Sequence, residues 1–434
     1  MFNPHQLTVN INITLLQLKR ALAVIFFLNI FILFGTWFHK SGMLKNGNSG
    51  LRRLVAQFNL GTENVIAAWY SSMLLLLVAV AAFFCFLYDK GGNTKLTYRI
   101  INWGWIPVVL IFLLLSFDEM GSFHEMIGES AGFKKMLLAK DGGGGWYAFF
   151  ILIGLVALFM ITFFAVKFKG KIPSLILSIL GVLLLVSNPF QEKYEMYSWH
   201  SAPDPDTWKR PVFYLLLEEG SEIFATFCFL CSFVLYPVKS IINKGNQPSD
   251  ERYQLELIVP KRLLLDPGTL IVIAGMVMLI VKINTWEFES DSGIPQNWFP
   301  SAMSFIVSIL GFYYYLNARD KYNSNNAVTL LIAFLSIIIS IFFGANLYVY
   351  TGGLVGKIPV VLLSVSILAG IFSFIKWKSK SGRFFVGAWL VSIFISLNAK
   401  GFSSPLFGYL ASSCLLLALI IHYQQMAGKL NRDY

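Results

Sequence analysis

The sequence predicts an all-α integral membrane protein, a polytopic transmembrane bundle of about twelve helices with a 6+6 parallel internal repeat. Three observations predict it. Hydrophobic residues make up 56% of the 434 residues and charged residues only 13%, which is unlike a soluble domain. Apolar runs of spanning length, roughly 20 residues, recur along the chain. The two halves also resemble each other in the order of their motifs.

The apolar runs predict the helices in order. The third run is the longest because its end is polar. The predicted helices lie near residues 20–38, 65–88, 101–129, 146–167, 172–190, 211–236, 267–283, 299–316, 327–348, 357–375, 383–399 and 405–424.

Polar and basic residues divide the chain and orient it. Residues 238–266 form a predicted cytoplasmic linker between a six-helix half at 1–237 and a second half at 267–434. Lys and Arg lie in short loops between apolar runs, so the net charge of +11 reflects membrane orientation and not nucleic-acid binding. These residues are more numerous at both termini and in the even-numbered loops, which predicts that the N-terminus and C-terminus are cytoplasmic.

The repeat is indicated by paired motifs at the start of two helices. Trp69, Tyr70 and Ser72 correspond to Trp298, Phe299 and Ser301. The acidic residues do not recur, because FLLLSFDEMGSFHE in the first half corresponds to AFLSIIISIFFGAN in the second. The second half is therefore predicted to be a degenerate repeat.

Two acidic segments interrupt the apolar runs of the first half. Residues 116–129 read SFDEMGSFHEMIGE, and residues 215–222 read LLLEEGSE. Charged groups at membrane depth are costly and mark functional sites. With a cytoplasmic N-terminus, the third helix runs outward and the sixth inward, so both segments are predicted at similar depth near the outer face.

Helical geometry predicts which acids share a face. Asp118, Glu125 and Glu129 project within about 40° of one another, whereas Glu119 and His124 point to other sides. On the sixth helix Glu218 and Glu222 are one turn apart, and Glu219 lies about 100° round. The two acidic faces are predicted to line one cavity.

Clustered carboxylates must be neutralised by a bound cation, by protons or by nearby Lys and Arg. Carboxylates with His suit a divalent metal ion, but neither HExxH nor a Glu–His pairing of the ferritin type identifies the metal. Glu119 and Glu219 are the predicted general bases. The predicted metal ligands are Asp118, His124, Glu125, Glu129, Glu218, Glu222 and His200.

The same motifs carry a family resemblance. Glu63 with Trp69 to Ser72, Leu115 to Glu119 with His124 and Glu125, and the Glu218, Glu219 and Glu222 helix are together similar to a group of uncharacterised bacterial integral membrane proteins, over residues 20–237. The resemblance implies a bacterial inner (plasma) membrane protein whose acids act as a unit. It implies no activity.

Three functional classes stay open at this point. The leading one is a metal-dependent enzyme on a lipid-linked or periplasmic substrate. The others are a cation- or proton-coupled transporter and a non-catalytic membrane subunit or assembly factor. The expected partners are the lipid bilayer, with a lipid-linked substrate or a membrane partner subunit, and no nucleic acid.

Overall fold

The computed structural model describes part of the chain, and contacts divide it into two compact units. Unit 1 comprises Met1–Glu63 and Tyr70–Val281, and unit 2 comprises Asn64–Trp69 and Lys282–Tyr434. The described residues are 6–43, 49–62, 65–92, 100–121, 144–201, 210–237, 239–240, 252–260, 267–273, 275, 301–306, 308–309, 312, 330, 333–334, 336–338 and 340–341.

Seven helices and three strands have defined bounds among these residues. The helices are α1 (Leu15–Lys40), α2 (Ser49–Ala56), α3 (Ile66–Gly92), α4 (Trp105–Gly121), α5 (Gly144–Lys167), α6 (Ile172–His200) and α7 (Val212–Leu235). The strands are β1 (Gln6–Thr14), β2 (Lys239–Ser240) and β3 (Arg252–Pro260).

Four segments are long and apolar enough to cross a membrane: Leu16–Lys40, Ile66–Lys90, Ile100–Met120 and Ile172–Glu195. Ile151–Lys167, within α5, counts as a shorter apolar helix. α7 has 24 residues, but three glutamates lie in its first half. Large apolar side chains project outward, including Phe27, which is 68% exposed. A helix bundle with an apolar exterior is suited to lipid, so the prediction of a membrane protein is confirmed.

An aromatic core joins α4, α5 and α7. The indole of Trp105 lies 5.1 Å from the Phe163 ring and 5.3 Å from the Phe233 ring, centroid to centroid. Phe164 and Phe168 stack at 5.3 Å. All of these rings are buried. Aromatic side chains bury a large area each, so they fix how the three helices pack.

The contact between α4 and α7 is regular. Trp105 meets Tyr236 at 5.8 Å, and Phe112 meets Phe229 at 5.0 Å. The second pair lies seven residues further along α4 and seven residues back along α7, so the two helices are antiparallel. Positions seven residues apart lie almost on the same helix face, which makes this a continuous seam.

A reciprocal serine pair joins α3 to α4. The Ser72 hydroxyl donates to the Ser116 backbone carbonyl at 2.5 Å, and the Ser116 hydroxyl donates to the Ser72 carbonyl at 2.8 Å. Their two hydroxyl oxygens are 3.2 Å apart. Small residues allow such close approach of helix backbones in membranes.

A buried ion pair connects the end of α3 and the end of α5 with the start of α4 and the residue after α7. The Lys167 ammonium lies 2.7 Å from Asp89 Oδ2, and each side chain is 8% exposed. Trp105 Nε1 donates to Asp89 Oδ2 and Tyr236 Oη donates to Oδ1, both at 2.6 Å. Lys167 also donates to Asn102 Oδ1. Because each charge has a partner, the cost of burying the pair is reduced.

The all-α prediction holds for the membrane helices but missed a small sheet outside them. β1, β3 and β2 form a three-stranded antiparallel sheet in that order, with Gln6 opposite Pro260 and Thr14 opposite Arg252. The sequences QLTVNINIT and RYQLELIVP alternate polar and apolar residues, as strands do. The pairing brings residues 6–14 beside residues 252–260, so these two segments lie on the same side of the helix bundle.

Unit 2 contains a second reciprocal serine pair. Ser301 and Ser340 each donate to the other's carbonyl at 2.8 Å, and their hydroxyl oxygens are 3.1 Å apart. Trp69 Nε1 lies within hydrogen-bond distance of both hydroxyls, at 3.1 and 3.0 Å. The last three predicted helices, 357–375, 383–399 and 405–424, lie outside the described residues, as do Trp298 and Phe299.

Candidate functional site

Three carboxylates from two antiparallel helices meet inside unit 1. Glu119 of α4 and Glu219 and Glu222 of α7 each place one oxygen so that all three lie within 4.8 Å of one another. All three side chains are half-buried. We call these residues the carboxylate triad.

The seam between α4 and α7 explains the position of the triad. Glu119 follows Phe112 by seven residues, and Glu222 precedes Phe229 by seven, so they form the next layer of the same seam. Glu219 lies one turn from Glu222 on the same side of α7. Helical angles separated Glu119, a predicted general base of the site, from the face of Asp118, and the structure brings Glu119 and not Asp118 into the triad. Aromatic packing, and not the position of the other acids on α4, sets the rotation of that helix.

The triad lies towards one end of the apolar segments. Glu119 is the penultimate residue of the segment Ile100–Met120. From the Trp105–Tyr236 layer to the Glu119–Glu222 layer the helices rise about 21 Å.

An amide and hydroxyl network supports the triad from α6. Asn188 Nδ2 donates to Glu222 Oε1 at 2.7 Å, and the Ser221 hydroxyl donates to Asn188 Oδ1. Gln191 Nε2 donates to the Ser187 and Ser221 hydroxyls at 2.8 and 3.2 Å. Asn188 is only 6% exposed. The network therefore fixes one carboxylate oxygen of Glu222.

Asn188 was not among the residues predicted for the site, although the sequence carries a signal for it. It stands directly before Pro189 inside a helix that is otherwise apolar over this stretch. An amide in such a run needs a polar partner. The partner of Asn188 is Glu222, which only the packing of α6 against α7 reveals.

Arg210 joins two further carboxylates at the start of α7. Its Nε and Nη2 contact the Glu195 oxygens at 2.7 and 2.9 Å, and Nη2 also contacts Glu218 Oε2. Burial opposes the charge of Arg210, but Glu218 and Glu195 outweigh burial and raise its pKa, so the guanidinium stays protonated. Glu218, predicted as a metal ligand, is paired with Arg210 and is not part of the triad.

Three carboxylates and one cation act on Glu219 among the residues that the structure describes. Glu219 interacts electrostatically with Glu222, Glu119 and Glu218 and with the Arg210 cation. Like charges this close cannot all stay ionised without a cation or protons. Three carboxylate oxygens suit a hard cation such as Mg²⁺, Ca²⁺ or Mn²⁺, so the donor set fits the divalent metal that the sequence predicts.

The other predicted residues have separate places. Asp118 lies on α4 next to Glu119 and is not in the triad. His200 is the last residue of α6. His124, Glu125 and Glu129 lie outside the described residues, so their part in the site stays a prediction.

Fold and site together define the class: an integral membrane protein with a carboxylate cluster inside its helix bundle. Residues 21–236 match the family model described as Domain of unknown function (DUF8692), so this part of the chain is similar to an uncharacterised family. The match begins in α1 and ends directly after α7, and it includes the triad, the Asn188 network and Arg210. Neither a curated protein nor a solved structure matches the chain.

Proposed function

We propose that the protein binds a divalent cation at Glu119, Glu219 and Glu222. One observation carries the proposal: three carboxylate oxygens within 4.8 Å of one another, brought together by two antiparallel helices of an apolar bundle. A cation removes the electrostatic conflict between them. His124, Glu125, Glu129 and His200 stay candidates for further ligands, whereas Asp118, the neighbour of Glu119 outside the triad, serves as the control in the experiment below.

The chemistry we propose is that of a metal-dependent enzyme acting on a lipid-linked or periplasmic substrate. A bound cation would supply Lewis acidity and activation of water. Three protein oxygens leave coordination positions for water and substrate, since these cations take about six or more ligands. Asn188 holds one Glu222 oxygen, and Arg210 engages Glu218. Glu119 and Glu219 are the predicted general bases, and each has a second carboxylate oxygen beside the one that would bind the cation.

We place this site at the outer face of a bacterial inner membrane, with cytoplasmic N- and C-termini. The pairing of β1 with β3 supports the common side of the N-terminus and the linker. The bias of Lys and Arg supports the cytoplasmic side for both. The triad, at the opposite ends of α4 and α7 from the Trp105–Tyr236 layer, then lies near the periplasm.

We also propose the twelve-helix, two-repeat architecture. The Ser72–Ser116 and Ser301–Ser340 pairs make the same three contacts, each within its own unit. If Ser340 is the counterpart of Ser116, the correspondence expected from the sequence shifts by three residues, and Phe343 stands where the first half has Glu119. This supports a duplication in which one half carries the acids.

The serine pairs also favour a second function, a cation- or proton-coupled transporter. Many transporters are built from two repeated six-helix halves. Against transport along the seam of unit 1, Phe112, Phe229 and Phe233 fill the space between the triad and the Asp89–Lys167 pair. We therefore rank it second.

Cation binding is tested on purified protein in lipid nanodiscs. The measurement is Mn²⁺ binding by electron paramagnetic resonance and competition with Mg²⁺ and Ca²⁺. Glu119→Gln and Glu222→Gln should each reduce affinity at least about tenfold, since each removes a charged ligand. Asp118→Asn is the matched control, because it removes a neighbouring charge from the same helix turn.

Two outcomes would contradict the proposal. The first is no saturable Mn²⁺ binding by the unaltered protein. The second is an equal loss in Asp118→Asn and Glu119→Gln, which would mean that diffuse negative charge and not a triad attracts the ion. Cation-dependent flux in proteoliposomes, abolished by Glu119→Gln, would move the transporter to first place.

A further inference from the structure

The short helix α2 is amphipathic, and its large apolar side chains are exposed. Leu51 and Leu54 lie about 60° apart around the helix axis, and they are 47% and 57% exposed. Ser49, Arg52 and Arg53 project from the opposite half of the helix. No side chain of α2 is buried. The helix therefore has an apolar side and a cationic side, and both are exposed.

The segment directly after α2 is anchored to α1. The Thr36 hydroxyl donates to the Phe58 carbonyl at 2.8 Å and accepts the Leu60 N–H at 3.1 Å. Phe58 packs directly over Gly35, where an added Cβ would lie 2.6 Å from the Phe58 Cβ. Because α2 ends at Ala56, two residues before Phe58, these contacts hold α2 beside the last turns of α1.

The anchor lies on the outward side of α1. The Phe58 ring meets the Phe31 ring at 5.2 Å between centroids, and Phe31 is itself 52% exposed. Phe34 and Trp37, further along α1, are exposed as well. α1 is long and apolar enough to cross a membrane, so its exposed aromatic side chains face lipid. α2 is therefore held beside a surface of the bundle that lipid covers.

The end of α1 has the composition of a membrane interface. His39 and Lys40 follow Trp37 in the last turn, and such aromatic and basic residues are typical of the boundary between acyl chains and headgroups. Gly35, which Phe58 covers, precedes Lys40 by five residues, about 8 Å of helix rise. The anchor thus holds α2 close to the level of this boundary.

The charge around α2 favours anionic lipid. Residues 40–43 and 49–62, which the structure describes on this side of α1, include Lys40, Arg52 and Arg53 but no acidic residue. All three cationic side chains are exposed. Helices with Leu on one side and Arg on the other bind in the plane of the interface, and their cations attract anionic headgroups.

This surface lies at the same end of the bundle as the carboxylate triad. Gly61 lies against Leu215 in the first turn of α7, where an added Cβ would be 2.8 Å from the Leu215 side chain. Leu215 precedes Glu219 by four residues, about one helical turn. The two features share an end of the bundle but no residue.

We infer that α2 is an interfacial helix that binds anionic phospholipid. Leu51 and Leu54 enter the acyl chains at the boundary with the headgroups. Arg52 and Arg53 bind the headgroup phosphates from the other side of the helix. The surface depends on neither the triad nor a bound cation, so it can be tested without either.

Nitroxide labels on α2 of the full chain test where the helix lies. Leu51→Cys and Leu54→Cys sample the apolar side, and Ser49→Cys is the matched control on the polar side, since it keeps both arginines. Each labelled variant is reconstituted in vesicles of phosphatidylethanolamine and phosphatidylglycerol. Collision with oxygen reports exposure to lipid, and collision with a water-soluble nickel chelate reports exposure to water. The chain without an added cysteine gives the background from its four cysteines.

Labels at Leu51 and Leu54 should favour oxygen over the chelate severalfold more than a label at Ser49. A label at Phe27→Cys, on the exposed side of α1, gives the reference value for a side chain in lipid. Two results would overturn the inference. Labels at Leu51 and Leu54 shielded from both reagents would mean that protein covers the helix. Labels that match Ser49 would mean that the helix lies in water.

A change of lipid tests the role of the headgroups. With the label at Leu54, phosphatidylcholine in place of phosphatidylglycerol should lower the oxygen preference about twofold, because the anionic phosphates that hold the arginines are diluted out. Arg52→Gln with Arg53→Gln should abolish this response. Lys19→Gln with Arg20→Gln removes the same charge from exposed positions near the start of α1 and should keep it. A response that survives the loss of both arginines, or that both double variants lose equally, would refute headgroup binding by α2.

Discussion

Loss of the Asp89 carboxylate should destabilise unit 1 more than loss of any one hydrogen bond. Asp89→Leu leaves the Lys167 ammonium buried without its counter-ion, and it leaves the Trp105 and Tyr236 donors without their acceptor. Removing one partner of a buried ion pair costs about 3–5 kcal/mol. A hydrogen bond between membrane helices contributes only about 0.6 kcal/mol on average. Because Asn102 still accepts from Lys167, we expect about 3 kcal/mol.

The double variant Asp89→Leu with Lys167→Met separates charge from packing. It removes both charges and keeps apolar volume, so it should be more stable than the single variant by about 2 kcal/mol. The assay is equilibrium unfolding in mixed micelles with increasing sodium dodecyl sulfate, followed by tryptophan fluorescence. A single variant within about 1 kcal/mol of the unaltered protein would refute the argument. So would a double variant less stable than the single one.

Two further predictions concern the core and the site. Phe229→Ala should lower the free energy of unfolding in the same assay by about 3–5 kcal/mol, because Phe229 is fully buried where α7 packs against α4. The control Phe27→Ala, on the apolar exterior, should change the free energy of unfolding by less than about 1 kcal/mol. An equal effect of the two would contradict the assigned core. Asn188→Leu should weaken Mn²⁺ binding about tenfold, since residues that orient a metal ligand typically contribute that much to affinity. The control Asn102→Leu, at the other end of the bundle, should leave the Mn²⁺ affinity unchanged. Unchanged Mn²⁺ affinity in Asn188→Leu would remove Asn188 from the support of Glu222.

The sequence predicted the acidic site to the level of segments. Glu119, Glu219 and Glu222 were all among the predicted residues, because carboxylates in apolar runs stand out by their solvation cost. Their roles were less well predicted. Helical angles alone gave Asp118 the inward face, since the rotation of a helix about its axis depends on its neighbours. Phe112 and Phe229 supply that information, and their spacing of seven residues from Glu119 and Glu222 is visible in the sequence once the pairing is known.

The sequence alone could not predict contacts between distant segments, because these contacts also depend on how the helices pack. Asp89 and Lys167 are 78 residues apart in number and meet only after α3 and α5 pack against α4. Asn188 reaches Glu222 from another helix. β1 and β3 carry the alternation of strands, but short alternating segments beside apolar helices are weak signals, and their pairing spans six long helices.

The sequence by itself determined that the protein lies in a bilayer, because of its apolar runs. It also determined which acidic residues are candidates for a functional site, because they lie within those runs. These follow from transfer free energies, which each residue carries wherever it lies. The tertiary structure decided the arrangement: Glu119 lies in the triad, Glu218 pairs with Arg210, and residues 6–14 pair with residues 252–260 in a sheet. Such pairings depend on helix rotation and register, which only packing between distant segments can set.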